Sequence, residues 1–207
     1  MRSREQNSPS KDFDLLPPLP ANFFLKDTAT VARRLLGKGL CVRQGRLWLV
    51  AEITETEAYL GVEDPASHAY RGRTQRNQSM FATGGTCYVY LSYGINFCMN
   101  VATRTSGVGE AVLLRSARPI AGHALMARRR STREPHQFLS GPGKLTQALD
   151  ISLAHNGMTF DGRDFKIVDL GRRLSSSSIG TSPRIGISKA TDRLLRFFVQ
   201  DSEWLSR

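Results

Sequence analysis

Two glutamates two residues apart, Glu55 and Glu57, end the apolar stretch LWLVAEITETEAY. Read as a strand, this stretch alternates its side chains, so Leu47, Leu49, Ala51, Ile53, Glu55, Glu57 and Tyr59 share one face unless a bulge intervenes. A carboxylate that continues a core-facing row is partly desolvated. Desolvation raises a carboxyl pKa and prepares the group to take a proton, which makes Glu57 a candidate general base. The competing reading is that both glutamates lie past the core edge, solvated or paired with arginines, as charges at strand ends commonly are.

The five tyrosines all fall between positions 59 and 93: Tyr59, Tyr70, Tyr88, Tyr90 and Tyr93. Tyr88 and Tyr90 share a strand face, and Tyr93 stands at the turn marked by Gly94. Aromatic faces beside positive charge suit nucleobases, because stacking contributes about 1–3 kcal/mol per base. Extruded bases are commonly held between such side chains. A tyrosine-rich core sheet with hydroxyls satisfied at its edge fits the spacing equally well. His68 follows a turn at Glu63, Asp64 and Pro65 and precedes a segment with Arg71, Arg73 and Arg76. The other histidines, His123, His136 and His155, lack ligand spacing, so a histidine-based metal centre is not expected. No Walker loop, GxGxxG or GxSxG occurs, which removes support from nucleotide hydrolases, dinucleotide enzymes and serine-triad hydrolases. A second basic cluster, Arg128, Arg129, Arg130 and Arg133, suits either phosphates or the C-terminal end of a helix.

These residues need a frame. The chain has 207 residues, enough for one globular domain or two small ones. With 29 Lys and Arg against 18 Asp and Glu, the formal net charge is +11, which points to an anionic partner. A hydrophobic content of 40% excludes wholesale disorder. No stretch reaches the length of a membrane span and the amino end lacks the apolar centre of a secretory signal, so an intracellular protein is expected. Cys41, Cys87 and Cys98, without CxxC spacing, read as reduced thiols. Residues 1–21, rich in Ser, Pro and charge, read as a flexible tail, and residues 22–207 as the domain. Within it, Asp27 or Thr28 caps a helix stopped by Gly37, and further helices fit Ile120 to Arg130 and Gly143 to Leu149. Strands fit Leu40 to Arg43, Leu47 to Tyr59, Thr86 to Tyr93, Phe97 to Thr103, Ala111 to Ala117, Phe165 to Leu170 and Leu195 to Val199. The pattern is that of an α+β domain with a mainly antiparallel sheet.

Longer motifs are more discriminating. ETEAYLGVEDPASH at Glu55 to His68, RN at Arg76 to Asn77, MF at Met80 to Phe81, GTCYVYLSYG at Gly85 to Gly94, FCMN at Phe97 to Asn100, VLLR at Val112 to Arg115 and SGPGKL at Ser140 to Leu145 resemble the alkyladenine (3-methyladenine) DNA glycosylase family. Order and spacing agree onward through RIGI at Arg184 to Ile187, RFFV at Arg196 to Val199 and Trp204. The likeness departs from familiar members at Ile95 and Asn96, and in the loop AYRGRTQRN, which is about one residue shorter.

The resemblance implies a single compact domain on a curved antiparallel sheet flanked by helices. It implies a monomeric, monofunctional glycosylase of base excision repair, without cofactor or metal, acting where the DNA is. Its partner is double-stranded DNA containing damaged purines: alkylated or deaminated bases are flipped out and the N-glycosidic bond is hydrolysed. By position, Glu57 resembles the family's water-activating base and Arg115 the residue that helps hold the water and the carboxylate. Tyr59, His68 and Tyr90 resemble the walls of the base pocket, and Asn100 the asparagine whose bulk disfavours guanine's exocyclic amine. Tyr93 resembles the side chain that intercalates into the gap in the duplex, while Lys144 and Arg76 fall where the DNA backbone is contacted. Position 55 receives no chemical role, so replacing Glu55 is expected to be milder than replacing Glu57. A nonenzymatic nucleic-acid binder and a hydrolase of nucleosides remain the alternatives; an inert residue at 57 would favour the first, and a neutral protein with a closed pocket the second.

Overall fold

The computed structural model describes residues 13–206. Eight strands form one antiparallel sheet: β1 (Gly39–Gln44), β2 (Leu47–Tyr59), β3 (Cys87–Ser92), β4 (Asn96–Thr103), β5 (Glu110–Ala121), β6 (Phe165–Val168), β7 (Ile179–Ser182) and β8 (Arg196–Val199). The principal path runs β3-β4-β5-β2-β1-β6, with β8 joined to β2 and β7 to β8. The α+β, mainly antiparallel expectation holds.

The long central strand β2 explains the arrangement. Along one edge it pairs β5 over most of its length; along the other it pairs β1 up to Glu52 and β8 from Glu55 to Glu57. Three register shifts, at Val50/Ala51, Ile53/Glu55 and Glu55/Thr56, bulge the β2–β5 ladder and bend the strands there. Bulging breaks strict alternation, and β2 is buried on both faces from Leu49 to Ala58. Glu55 and Glu57 are therefore inside the protein, and the solvated alternative for them is wrong.

Three helices cover the sheet. Helix α1 (Thr28–Leu35) starts where Asp27 accepts a hydrogen bond from the Thr30 amide at 2.9 Å. It buries Val31, Ala32 and Leu35 in a core shared with Leu40, Leu49, Ile53, Leu114, Leu145 and Phe160. Helix α2 spans His123–Arg130 and α3 Pro142–Leu149, with proline at its first turn. Ile120 belongs to β5 rather than to the helix expected from it: β5 continues to pair with β2 through Ala121, and Gly122 at φ 85° makes the turn. The polar strand β7, IGTS, follows a 3-10 turn at Ser176–Ser178 and is absent from the strands the sequence pattern predicts.

Residues 1–12 lie outside the described residues, and with them most of the expected flexible tail. Residues 13–21 rest on the sheet, against that expectation. Leu19 is buried and its amide donates to the Ile167 carbonyl at 2.7 Å, while Phe13 and Leu16 pack near Cys41, Val50 and Val168. Asp14 pairs with Arg43 at 2.7 Å. Prolines forbid a regular element here, yet leave apolar side chains free to dock. The three cysteines are free and buried.

Candidate active site

β3 and β4 form a hairpin whose tip is a tight turn. Tyr93 (φ 49°) and Gly94 (φ 71°) both take left-handed backbone, and the Ile95 amide donates to the Ser92 carbonyl at 3.0 Å. Two consecutive positive φ values match the right-handed twist of a hairpin. The turn projects Tyr93 into solvent at 89% exposure, with Ile95 beside it at 77%. Below the tip opens a cleft of about 870 Å³, whose walls include Tyr59, His68, Tyr88, Tyr90, Asn100 and Arg115, with Tyr93 at its mouth.

The expected pocket residues therefore converge. His68 Nδ1 and the Tyr88 hydroxyl are 2.9 Å apart, and the His68 ring meets the Tyr90 ring edge-on at 4.4 Å between centroids. Tyr88 and Tyr90 lie 5.5 Å apart, tilted. His68 is open to the cleft on one side, but desolvation by the protein behind it, followed by the charge of Arg76, holds its pKa below the ordinary imidazole value. Burial pushes the Tyr88 hydroxyl up to about 12 and raises Tyr59 and Tyr90 as well, so all three remain neutral, stackable phenols. Asn100 is buried and donates from Nδ2 to the Tyr88 carbonyl at 3.1 Å, which fixes its amide against the pocket.

Glu57 lies directly beneath this cleft. It is wholly buried, under Tyr59, Leu113, Arg115 and Ile185, which all line the cleft. Oε2 accepts from the Tyr59 hydroxyl at 2.9 Å and Oε1 from the Ile185 amide at 2.7 Å; Arg115 Nη1 stands 3.2 Å from Oε1. Burial raises its pKa above the carboxylate norm, more than Arg115 and the two hydrogen bonds lower it. Glu55 shows the opposite balance. Burial would raise it too, but Ser206 and Arg196 donate to it and Arg115 adds its charge, so its pKa falls below the norm. Two glutamates on one strand thus differ: the pKa of Glu55 lies below the carboxylate norm and that of Glu57 above it.

Other functional neighbours were not legible. Arg184 and Asp64 form a fully buried ion pair, and Arg184 stacks over the Tyr59 ring at 4.6 Å. Asp64 looked like a turn residue, and RIGI gave no role to Arg184 or to the Ile185 amide. Lys189 also lines the cleft. Arg76 lines the cleft and donates to the Leu91 carbonyl at 3.1 Å. Lys144 is not in the wall; its Nζ donates to Ser140 Oγ at 3.2 Å beside Pro142, which is. The second basic cluster is partly committed elsewhere: Arg129 ties α2 to Asp150, Gln44 and the Ala148 carbonyl. Among the described residues no group of three His, Cys, Asp or Glu is placed to hold a metal, and no helix is long and apolar enough to cross a membrane.

A profile of the methylpurine-DNA glycosylase (MPG) family matches residues 22–203. The chain belongs to the methylpurine-DNA glycosylase family. Curated relatives agree. Proteins named "Putative 3-methyladenine DNA glycosylase" from Methanoculleus marisnigri and Chlorobaculum tepidum are each 44% identical to it over 191 residues, covering 91% of this chain and 98% and 90% of theirs. One of the same name from Francisella tularensis subsp. tularensis is 43% identical over 185 residues, covering 87% and 94%. The family match spans the whole cleft and stops only at the last few residues, where Trp204 to Ser206 meet Glu55 and its neighbours.

Proposed function

We propose that this methylpurine-DNA glycosylase is a monofunctional enzyme of base excision repair. It takes an alkylated or deaminated purine out of duplex DNA and hydrolyses its N-glycosidic bond with a water activated by Glu57. The observation that carries the reading is the stack of parts: an exposed tyrosine at the cleft mouth, an aromatic cleft below it, and a buried carboxylate of raised pKa under the cleft floor. Each part answers one demand of the reaction. Tyr93 replaces the stacking lost when a nucleotide leaves the duplex. Tyr59, His68 and Tyr90 stack on the extruded base, and their faces favour the positive charge of an alkylated purine. Arg76 and the other basic residues at the rim attract phosphates.

Such a purine is already a good leaving group, so the protein has mainly to supply the nucleophile. Glu57 takes the proton of the attacking water as its oxygen bonds to C1′, and the base departs. Arg115 contacts Glu57 through Nη1, at 3.2 Å, and supplies the positive charge beside the carboxylate. Lys189 is exposed rather than desolvated against the pocket, which supports hydrolysis over a lyase route through a lysine Schiff base. Purified protein with duplexes bearing one defined purine lesion each tests the reading. It should yield free base and an uncut abasic strand, with no adduct trapped by borohydride. A trapped covalent adduct, or no release from any purine lesion, overturns it.

A further inference from the structure

Glu55 is wholly buried and more heavily hydrogen-bonded than Glu57. Oε1 accepts from Arg115 Nε at 3.0 Å, Arg196 Nε at 2.7 Å and Ser206 Oγ at 2.7 Å; Oε2 accepts from Ser116 Oγ at 3.0 Å and the Ser206 amide at 2.6 Å. Ser206 Oγ also lies 3.3 Å from both Nε and Nη2 of Arg115. The neighbouring Trp204 carbonyl accepts from Thr54 Oγ1 at 2.9 Å, which seats the carboxyl-terminal turn on β2. A guanidinium between two carboxylates has a choice of partner. Here Glu55 engages its Nε and leaves only Nη1 for Glu57.

We propose that Glu55 is a positioning residue for glycosidic hydrolysis, and that the Trp204 to Ser206 turn is the latch that fixes it. Together they keep Arg115 in a single contact with Glu57 instead of a two-pronged pair. The inference rests on the reading of Glu57 as the base. A bidentate guanidinium would occupy Glu57's oxygens and lower its basicity, excluding the water it must activate. Glu55 also acts by its charge, because a second anion nearby favours the protonated form of Glu57. The other groups facing Glu57 are Tyr59 on β2, Tyr90 on β3, Cys98 on β4, Arg115 on β5, Arg184 against Tyr59, and Arg196 on β8, opposite it in the ladder. Of these, Arg115 and Arg196 also touch Glu55, and Arg115 touches Ser206; the others have no contact with either residue.

The test is single-turnover release from a lesion duplex across pH for Glu55→Gln, Ser206→Ala and Ser206→Thr, with Glu57→Gln alongside. Glu55→Gln should slow release about tenfold or more while lesion binding is kept, the scale of one lost charged hydrogen bond. Its acidic limb should move down by up to about one pH unit, as Arg115 turns to Glu57 and the neighbouring anion is lost. Ser206→Ala should move both quantities the same way by less, and Ser206→Thr should retain most of the rate. A purely structural role predicts lower stability with an unmoved limb, and that result overturns the proposal. So does a Glu55→Gln rate and limb equal to wild type. If Glu55→Gln does not fold, the Ser206 pair decides, since both keep every charge. An active Glu57→Gln sinks the underlying reading; an inactive Glu57→Gln with an unmoved Glu55→Gln limb sinks only this one.

Discussion

Replacing Glu57 by glutamine removes one proton-accepting oxygen and changes almost nothing in shape. The amide can point its oxygen at the Ile185 amide and Arg115, both of which address Oε1, and its NH2 at the Tyr59 oxygen, which can accept. Arg115 keeps Glu55 as an anionic partner, so no buried charge is orphaned. The effect on stability follows from the direction of the pKa. A carboxyl raised above its unfolded value is held protonated more tightly by the folded chain. Its contribution is therefore complete below the ordinary carboxylate range and is lost as pH rises through the folded value. Glutamine mimics the protonated form at every pH, so the variant should match or exceed wild type in urea near pH 8. The rate should behave in the opposite sense. Wild-type release should climb as pH rises through the raised Glu57 pKa, because only the ionised group takes a proton. Removing a general base costs about 10²–10⁴ in rate, roughly 3–5 kcal/mol of barrier. Single-turnover release on a duplex with one lesion, read by strand cleavage at the abasic site in alkali, measures it. A variant that releases base within tenfold of wild type, with the same acidic limb, would falsify Glu57 as the base.

Tyr93→Ser should lower the ratio of lesion to undamaged affinity in paired duplex and act less where the lesion is already unpaired; an unchanged ratio removes Tyr93 from the flipping role. Its melting temperature should not fall, since Tyr93 is 89% exposed and makes no core contact. Asp64→Asn leaves the buried Arg184 without its anion and should cost about 3–5 kcal/mol by urea denaturation, because an uncompensated buried charge remains. Arg76→Ala should weaken lesion and undamaged DNA alike and reduce the slope of log K against log salt by about one; an unchanged slope means that Arg76 does not touch a phosphate. Base release should persist in a chelator, and activity restored only by a divalent metal would contradict the proposed chemistry.

Much of the frame is legible because it depends on near neighbours in the chain. The α1 cap at Asp27, the Tyr93–Gly94 turn and the apolar runs of β2 and β4 are local signals, and they fall within a residue or two of the observed elements, as does the start of β5. The errors are of two kinds. Ile120 and Ala121 have helical neighbours but stay in β5 because Val50 is there to pair with, a tertiary contact overriding local pattern. Residues 13–21 read as a tail because prolines dominate their composition, whereas burial of Leu19 and the packing of half-buried Phe13 and Leu16 decide where they lie.

The site divides along the same line. Glu57, Tyr59, His68, Tyr90 and Tyr93 lie within 37 positions of one another, and motif and spacing were enough to group them. What separates the two glutamates chemically comes from far along the chain. Arg115, Ile185, Arg196 and Ser206 lie roughly 60 to 150 residues away, and no periodicity in β2 announces them. Alternation alone makes Glu55 and Glu57 equivalent, two carboxylates at successive same-face positions. The inequality arises because β8 takes over from β1 along the edge of β2 at Glu55, bringing Arg196 with it, while the carboxyl-terminal turn delivers two donors from Ser206. Glu55 collects the donors and stays ionised. Glu57 is left with weaker compensation under an aromatic cleft, which is the condition a base of raised pKa requires.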